Sequence, residues 1–174
     1  MIINRTWHMA NKNTFSIKPV AELINRYNDG SIISIDPFAN QSKIAKITND
    51  LDEQYTTNYH LDAIDFLKIF DKNSIDLVFF DPPYSMRQVS ESYKKLGRTV
   101  NMETTQMSYW SNLKDQIARI VKAEGIVISC AWNTSGVGKT RGFKIIEILL
   151  VAHGGARNDT IVTVDKKIQH GLEG

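Results

Sequence analysis

A chain of 174 residues with a formal net charge of +2 is long enough for one domain with a real core but not comfortably for two. The near balance of 21 basic against 19 acidic residues does not itself point to nucleic acid, although a local basic patch stays open. One cysteine, Cys130, excludes an internal disulfide, no Cys/His spacing matches a metal site, and no stretch approaches the ~20 apolar residues of a membrane span.

The first 14 residues are polar and Asn-rich and are expected to be loose or to fold over a neighbour. They hold no apolar run of signal-peptide length, so a cytoplasmic chain without membrane association is expected. Pro19 suits the first turn of a helix, where its missing N–H would be unpaired anyway. Val20, Leu23, Ile24 and Tyr27 form its apolar stripe, and Asp29-Gly30 stops it. Ser31 to Ile35 reads as a buried strand ending at Asp36-Pro37, and Ile44 to Thr48 as a second. Tyr59-His60 is a third, very short strand candidate. Asp62 can cap a helix carrying Ile64, Phe66, Leu67 and Phe70.

Ile75 to Phe80 is the clearest strand, and it runs straight into Asp81-Pro82-Pro83-Tyr84. Ser85 to Gln106 is polar and without strong period. Ser108 to Ala123 is an amphipathic helix through Trp110, Leu113, Ile117, Ile120 and Val121, ended by Gly125. Ile126 to Ala131 is a strand and Asn133 to Gly142 a glycine-bearing loop. Phe143 to Ala152 and Thr160 to Val164 are two strands joined by the turn at 153–158. Strands alternating with helices and closing on a hairpin predict a single α/β domain over residues 1–174. Its sheet should be mostly parallel with an antiparallel hairpin at the edge. Asp36, Asp50, Asp62 and Asp81 all fall at or just after strand ends, the rim where such sheets bind ligands.

The prolines after Asp81 fix φ and remove two backbone donors, so the turn is stiff. Its carbonyls and the Asp81 carboxylate can point at one spot beside the Tyr84 ring. Acceptors placed there would orient an exocyclic amino group and raise its nucleophilicity. In this pattern Asp81-Pro82-Pro83-Tyr84 resembles the catalytic motif of the DNA amino-methyltransferases, most closely the small adenine-N6 enzymes of the kind phages carry. The resemblance runs from about Phe15 to Val164 and implies a Rossmann-like methyltransferase fold. It also implies S-adenosylmethionine as cofactor and DNA as partner. A base inside a duplex must then be flipped out to react.

By the same resemblance, Asp36-Pro37-Phe38-Ala39-Asn40 is similar to the cofactor motif and Asp50 to the acid that bonds the cofactor ribose. Asp62-Ala63 matches the residues near the cofactor adenine, and Lys18-Pro19 a segment that packs at the cofactor's methionine end. Asn40 and Ser42 stand where the family has glycines; asparagine tolerates the left-handed region better than most residues. Only 13 residues separate Asp36 from Asp50, so the connection between the first two strands is truncated. Arg87, Lys94, Lys95, Arg98, Lys139, Arg141 and Lys144 are candidates for phosphate contacts, or a solvated charged surface. Trp132-Asn133 borders the base pocket or packs at its rim.

No separate target-recognition domain is expected. A second copy of the chain or a partner protein would supply strong sequence readout. A catalytically inactive binding protein that keeps the fold, such as a phage-borne inhibitor or decoy, is compatible with the departures in the glycine motif. Amino-methylation of RNA is compatible with the catalytic motif.

Overall fold

The computed structural model describes residues 1–97, 108–155 and 158–168. Seven strands form one sheet in the order β1-β6-β7-β5-β4-β2-β3. They are β1 (Ile2–Trp7), β2 (Ser34–Asp36), β3 (Ile47–Thr48), β4 (Ile75–Phe80), β5 (Val121–Ala131), β6 (Phe143–Ala152) and β7 (Thr160–Lys167). The helices are α1 (Lys18–Tyr27), α2 (Ala63–Lys68), α3 (Met86–Lys95) and α4 (Ser108–Ile120). All neighbouring strands are parallel except where β7 meets β5 and β6. This is the α/β sheet expected, with its antiparallel hairpin.

The hairpin does not form the edge. The N-terminal residues, expected to be loose or to fold over a neighbour, add β1 parallel to β6 outside it, pairing Ile2 with Glu147 through Trp7 with Ala152. The side chains of β1 stay largely exposed. The strand is therefore held by its backbone ladder and leaves no apolar alternation in the sequence. His153 clamps its end, with Nδ1 2.7 Å from His8 O and Nε2 2.8 Å from Thr160 Oγ1.

Two apolar layers sandwich the sheet. On one face α1 buries Val20, Leu23 and Ile24 with Phe15 and Ile17 against Leu77, Phe79, Ile128 and Val162. On the other, α2 and α4 bury Phe66, Leu67, Leu113, Ile117 and Ile120 against Ile35, Val78 and Val127. The α1 layer buries Glu147 of β6, which accepts from Tyr27 Oη at 2.7 Å and pairs with Arg26. Burying a carboxylate without such partners would be costly.

Several boundaries differ from the sequence expectation: β2 is Ser34–Asp36 rather than Ser31 to Ile35, β3 starts at Ile47 rather than Ile44, and β7 runs to Lys167 rather than Val164. The helix expected to run to Ala123 ends at Ile120, and β5 begins at Val121 with a bulge. Glu124 there has φ 66°, and a Cβ on Gly125 would sit 2.7 Å from Val121 Cγ1. The polar segment after Ser85 forms α3, capped by Ser85 accepting from Gln88 N. The third strand shrinks to a single bridge between Asn49 and Tyr59. Between β2 and β3 the chain makes turns and no helix, as the short spacing requires.

The sheet order reverses between β2 and β4: β3 lies beyond one, β5 beyond the other. A crevice opens outside the carboxyl ends of two strands at such a switch point. Asp36 ends β2, and Asp81 follows β4. The fold therefore sets these two acids at the carboxyl ends of the two strands that border the crevice.

Candidate active site

The rigid turn after β4 is held from three sides. Tyr84 Oη donates to Asp81 Oδ1. Trp110 Nε1 of α4 donates to Pro83 O at 2.9 Å, and Gln88 Oε1 of α3 accepts from Tyr84 N at 2.7 Å. Thr14 lines the same cavity wall beside Asp81 and Tyr84. With Pro83 O occupied, the Asp81 carboxylate and Pro82 O are the acceptors the motif has left to offer. Burial pushes the Asp81 carboxyl above the usual carboxylate range, partly offset by the bond from Tyr84. Burial and the Asp81 charge push the Tyr84 phenol far up, so Tyr84 stays protonated and acts as the donor.

Two cavities meet at this turn and share Pro82 and Tyr84. The first, about 550 Å³, lies over the switch point. It brings together Pro37, Phe38, Asn40, Asp50, Asp62 and Ala63 from the cofactor candidates with Asp81, Pro82, Pro83 and Tyr84. Asn40 has φ 53°, the left-handed conformation expected of a residue standing in for glycine. Ser42 needs no such conformation: it lies outside the positive-φ residues, donates its N–H to Ala39 O at 2.7 Å, and is buried.

The truncated connection is knitted by acids. Asp50 accepts from Asn40 N at 2.8 Å and from Asp52 N at 2.9 Å, and burial raises its pKa. Asp62 caps α2 through Ile64 N at 2.9 Å, and its other oxygen accepts from Tyr93 Oη of α3.

Other candidates are placed differently. Asp36 is fully buried beneath the cleft, capping the Pro37 turn through Phe38 N at 2.9 Å. Its Oδ2 has no partner among the described residues, and burial with the Asp50 and Asp81 charges pushes its carboxyl well up. Ala39 is buried and donates to Asn49 O. Lys18 and Pro19 start α1 and do not line the cleft; Lys12 and Thr14 of the preceding segment do.

Sequence reasoning missed Lys12, Thr14 and the α3 wall residues Gln88 and Tyr93, and read Lys95 of that wall as a candidate phosphate contact. It also missed Asn49, which bonds Pro37 O at 3.1 Å and Leu61 O at 3.0 Å across the floor. Asn49 reads in the sequence as an ordinary turn residue. The only signal for α3 is the Ser85 cap, because its apolar face is just Val89 and Tyr93.

The basic candidates scatter. Lys95 pairs with Asp52 at 3.2 Å across the cleft mouth, and Arg87 pairs with Glu91 at 2.7 Å along α3. Arg141 ties the loop before β6 to α4 through Asp115 at 2.6 Å and Ser111 Oγ at 2.8 Å. Lys94, Lys139 and Lys144 are exposed. Arg98 lies outside the described residues. Among the described residues no cluster suits a metal ion, and no helix is long and apolar enough to cross a membrane.

The second cavity, about 400 Å³, has walls from Phe80, Met86, Trp110 and Trp132 and a floor from Ser129 and Cys130 of β5. The Tyr84 and Trp132 rings meet edge to face at 5.4 Å.

No protein-family model and no curated protein matches the chain. Solved structures do. A 1,6-didemethyltoxoflavin N1-methyltransferase from Burkholderia thailandensis superposes with TM-score 0.59 at 8% identity, over 87% of this chain and 78% of that one. A protein from Haemophilus influenzae assigned as a methylase superposes with TM-score 0.54 at 12% identity, over 87% and 98%. The fold is Rossmann-like and of the methyltransferase type. TrmN from Thermus thermophilus also shares it, with TM-score 0.54 at 16% identity, over 87% of this chain but 49% of that one.

Proposed function

We propose that the chain is an S-adenosylmethionine-dependent methyltransferase that transfers the methyl group to an exocyclic amino nitrogen, with adenine N6 in DNA as acceptor. The observation that carries this reading is the placement of Asp81-Pro82-Pro83-Tyr84 at the switch point, where the motif lines the first cavity and shares Pro82 and Tyr84 with the second. One cavity then serves the cofactor and the other the acceptor. A structure of the same fold, the Burkholderia enzyme, holds S-adenosylhomocysteine together with a heterocyclic acceptor.

The residues of the first cavity suit the cofactor's donors and acceptors. Asp50 and Asp62 offer carboxylates to hydroxyl and amino groups, Phe38 offers an apolar face, and Lys12 offers a cation for a carboxylate. The left-handed Asn40 keeps the turn open despite the missing glycine, which favours an active site over a decoy. When bound, the cofactor supplies an electrophilic methyl group.

The chain's own part is positioning. Pro82 O and the Asp81 carboxylate accept the two amino N–H bonds and aim the nitrogen lone pair. The stiff turn fixes those acceptors before the base arrives. Such positioning can supply roughly 7–11 kcal/mol of the barrier. The Asp81 carboxylate, tethered by Tyr84, then holds the proton that the amino group sheds. The resemblance of Asp81-Pro82-Pro83-Tyr84 to the motif of the adenine-N6 enzymes favours adenine as the acceptor.

Target recognition is expected to be short or relaxed unless a second copy or partner contributes, because the two segments the sequence offers for base contacts, 85–106 and 133–142, are short. The test is single-base mapping of N6-methyladenine in DNA incubated with purified chain and cofactor. Methylation at sites of fewer than about five fixed bases is expected, since each specific base pair needs its own placed side chain. No methyl transfer, with no heat on titrating the cofactor, overturns the reading in favour of a binding protein.

A further inference from the structure

We propose that Lys114, with Ser129 beside it, reads a ring nitrogen of the acceptor base in the second cavity. This rests on the reading of that cavity as the acceptor pocket, and it assigns the residues that choose what enters.

Among the described residues lining the cavity, Lys114 is the one charged side chain. It projects from α4 and is half-buried. One of its three donors is used on Ser135 Oγ at 3.2 Å. Burial and the nearby Arg141 charge lower the ammonium pKa, and the Asp165 carboxylate partly restores it. A cation in such a setting seeks an acceptor. Ser129 supplies a second unmet group: its Oγ is buried and has no hydrogen-bond partner among the described residues. Buried hydroxyls are almost always bonded, so an orphan on a cavity floor points to a ligand atom.

Lys114 is backed by a built structure. Asp165 of β7 lies beneath the loop, accepting from Val137 N at 3.2 Å, with its other oxygen unpartnered. Gly136 covers it with φ 51°, and a side chain on Gly136 would overlap the Asp165 carboxylate. The loop therefore closes tightly over Asp165, whose charge acts on the Lys114 ammonium against the effect of burial.

The walls decide the ligand class. Phe80, Met86, Trp110 and Trp132 present rings and an apolar chain, which suits a planar heterocycle and does not suit a phosphate. Adenine carries acceptor nitrogens, N1 and N7, on either side of its amino group. Guanine has an N–H at N1 and no amino group at that carbon, and thymine has no amino group at all. With the amino group held by Asp81 and Pro82, an ammonium donor at one side accepts adenine and opposes a ring that presents N–H there.

The experiment is a titration of the purified chain with deoxyadenosine, 1-deazadeoxyadenosine and 7-deazadeoxyadenosine, read by quenching of tryptophan fluorescence. One of the two deaza analogues is expected to bind roughly tenfold to a hundredfold more weakly than deoxyadenosine, because it lacks the acceptor for a charged donor. In Lys114→Met that difference is expected to vanish while the other analogue is unaffected, and Ser129→Ala is expected to weaken all three ligands. A role for Lys114 limited to balancing Asp165 would leave the analogue preference unchanged. Equal binding of all three ligands by the wild-type chain, no binding of any, or an unchanged preference in Lys114→Met would each overturn the inference. Because the readout is binding alone, discrimination without methyl transfer would count against the proposed reaction and in favour of this assignment.

Discussion

Asp81 and Tyr84 divide their work by chemistry. Asp81 touches the amino group in the proposed reaction and has no place among the groups near the cofactor's adenosine end. Asp81→Ala is therefore expected to lower kcat by about 10²–10³, the usual cost of one lost transition-state partner. Cofactor affinity by calorimetry should stay within a few-fold of wild type. Asp81 must be ionised to accept, and its pKa is raised by burial. The acid limb of kcat/KM should lie above the ordinary aspartate range, with activity lost as pH falls through it. Asp81→Asn should remove that limb. Tyr84 contributes a ring and a hydroxyl separately. Tyr84→Phe keeps the face for stacking but frees Asp81 Oδ1, so kcat should fall with KM little changed. Tyr84→Ala should also raise KM, since base–aromatic stacking is worth roughly 1–3 kcal/mol. Equal KM values in the two variants would show that the ring does not stack on the acceptor.

The elements that build the site are short and tied by polar side chains rather than by packed apolar faces. The connection from β2 to β3 is the extreme case, with Asn40, Asn49 and Asp50 replacing a helix. Its turn depends on the positive φ of Asn40, which costs a β-branched residue about 1–2 kcal/mol. Asn40→Val is expected to lower stability to urea by that amount and to weaken cofactor binding. Asn40→Gly should match or exceed wild type in both. A Val variant with unchanged affinity would mean that this turn does not shape the pocket. The same polar construction explains what the sequence showed and hid. The motif after β4 was legible because an apolar strand running into Asp-Pro-Pro-Tyr is a local pattern. α3 was not, because its wall position depends on Tyr93 reaching Asp62 and Lys95 reaching Asp52, partners 31 and 43 residues away.

At the scale of the molecule, the acids buried by the fold give stability a distinct pH dependence. Burial pushes the Asp165 carboxyl up to about 6 from an ordinary 3.8. A raised pKa means that the folded state holds the proton more tightly than the unfolded one. The contribution is thus fully present below about pH 4 and is lost as pH rises through 6. The difference amounts to about 3 kcal/mol across that window. Asp165→Asn should gain on wild type as pH rises from 4 to 7, by up to that amount, in urea unfolding followed at several pH values. Parallel pH profiles for the two proteins would show that Asp165 does not carry this penalty.

The sequence by itself determined the α/β class, the stiff Asp-Pro-Pro-Tyr turn after β4, the strand-end acids and the truncated connection. Each rests on hydrophobic period, turn chemistry or spacing within a few residues. The docking of β1 outside the hairpin, the α3 wall, the burial of Asp36 and the meeting of two cavities at Pro82 and Tyr84 were decided by tertiary structure alone. These depend on which backbone edges and which distant side chains fall together once the sheet has twisted and packed. No local pattern in the chain records that.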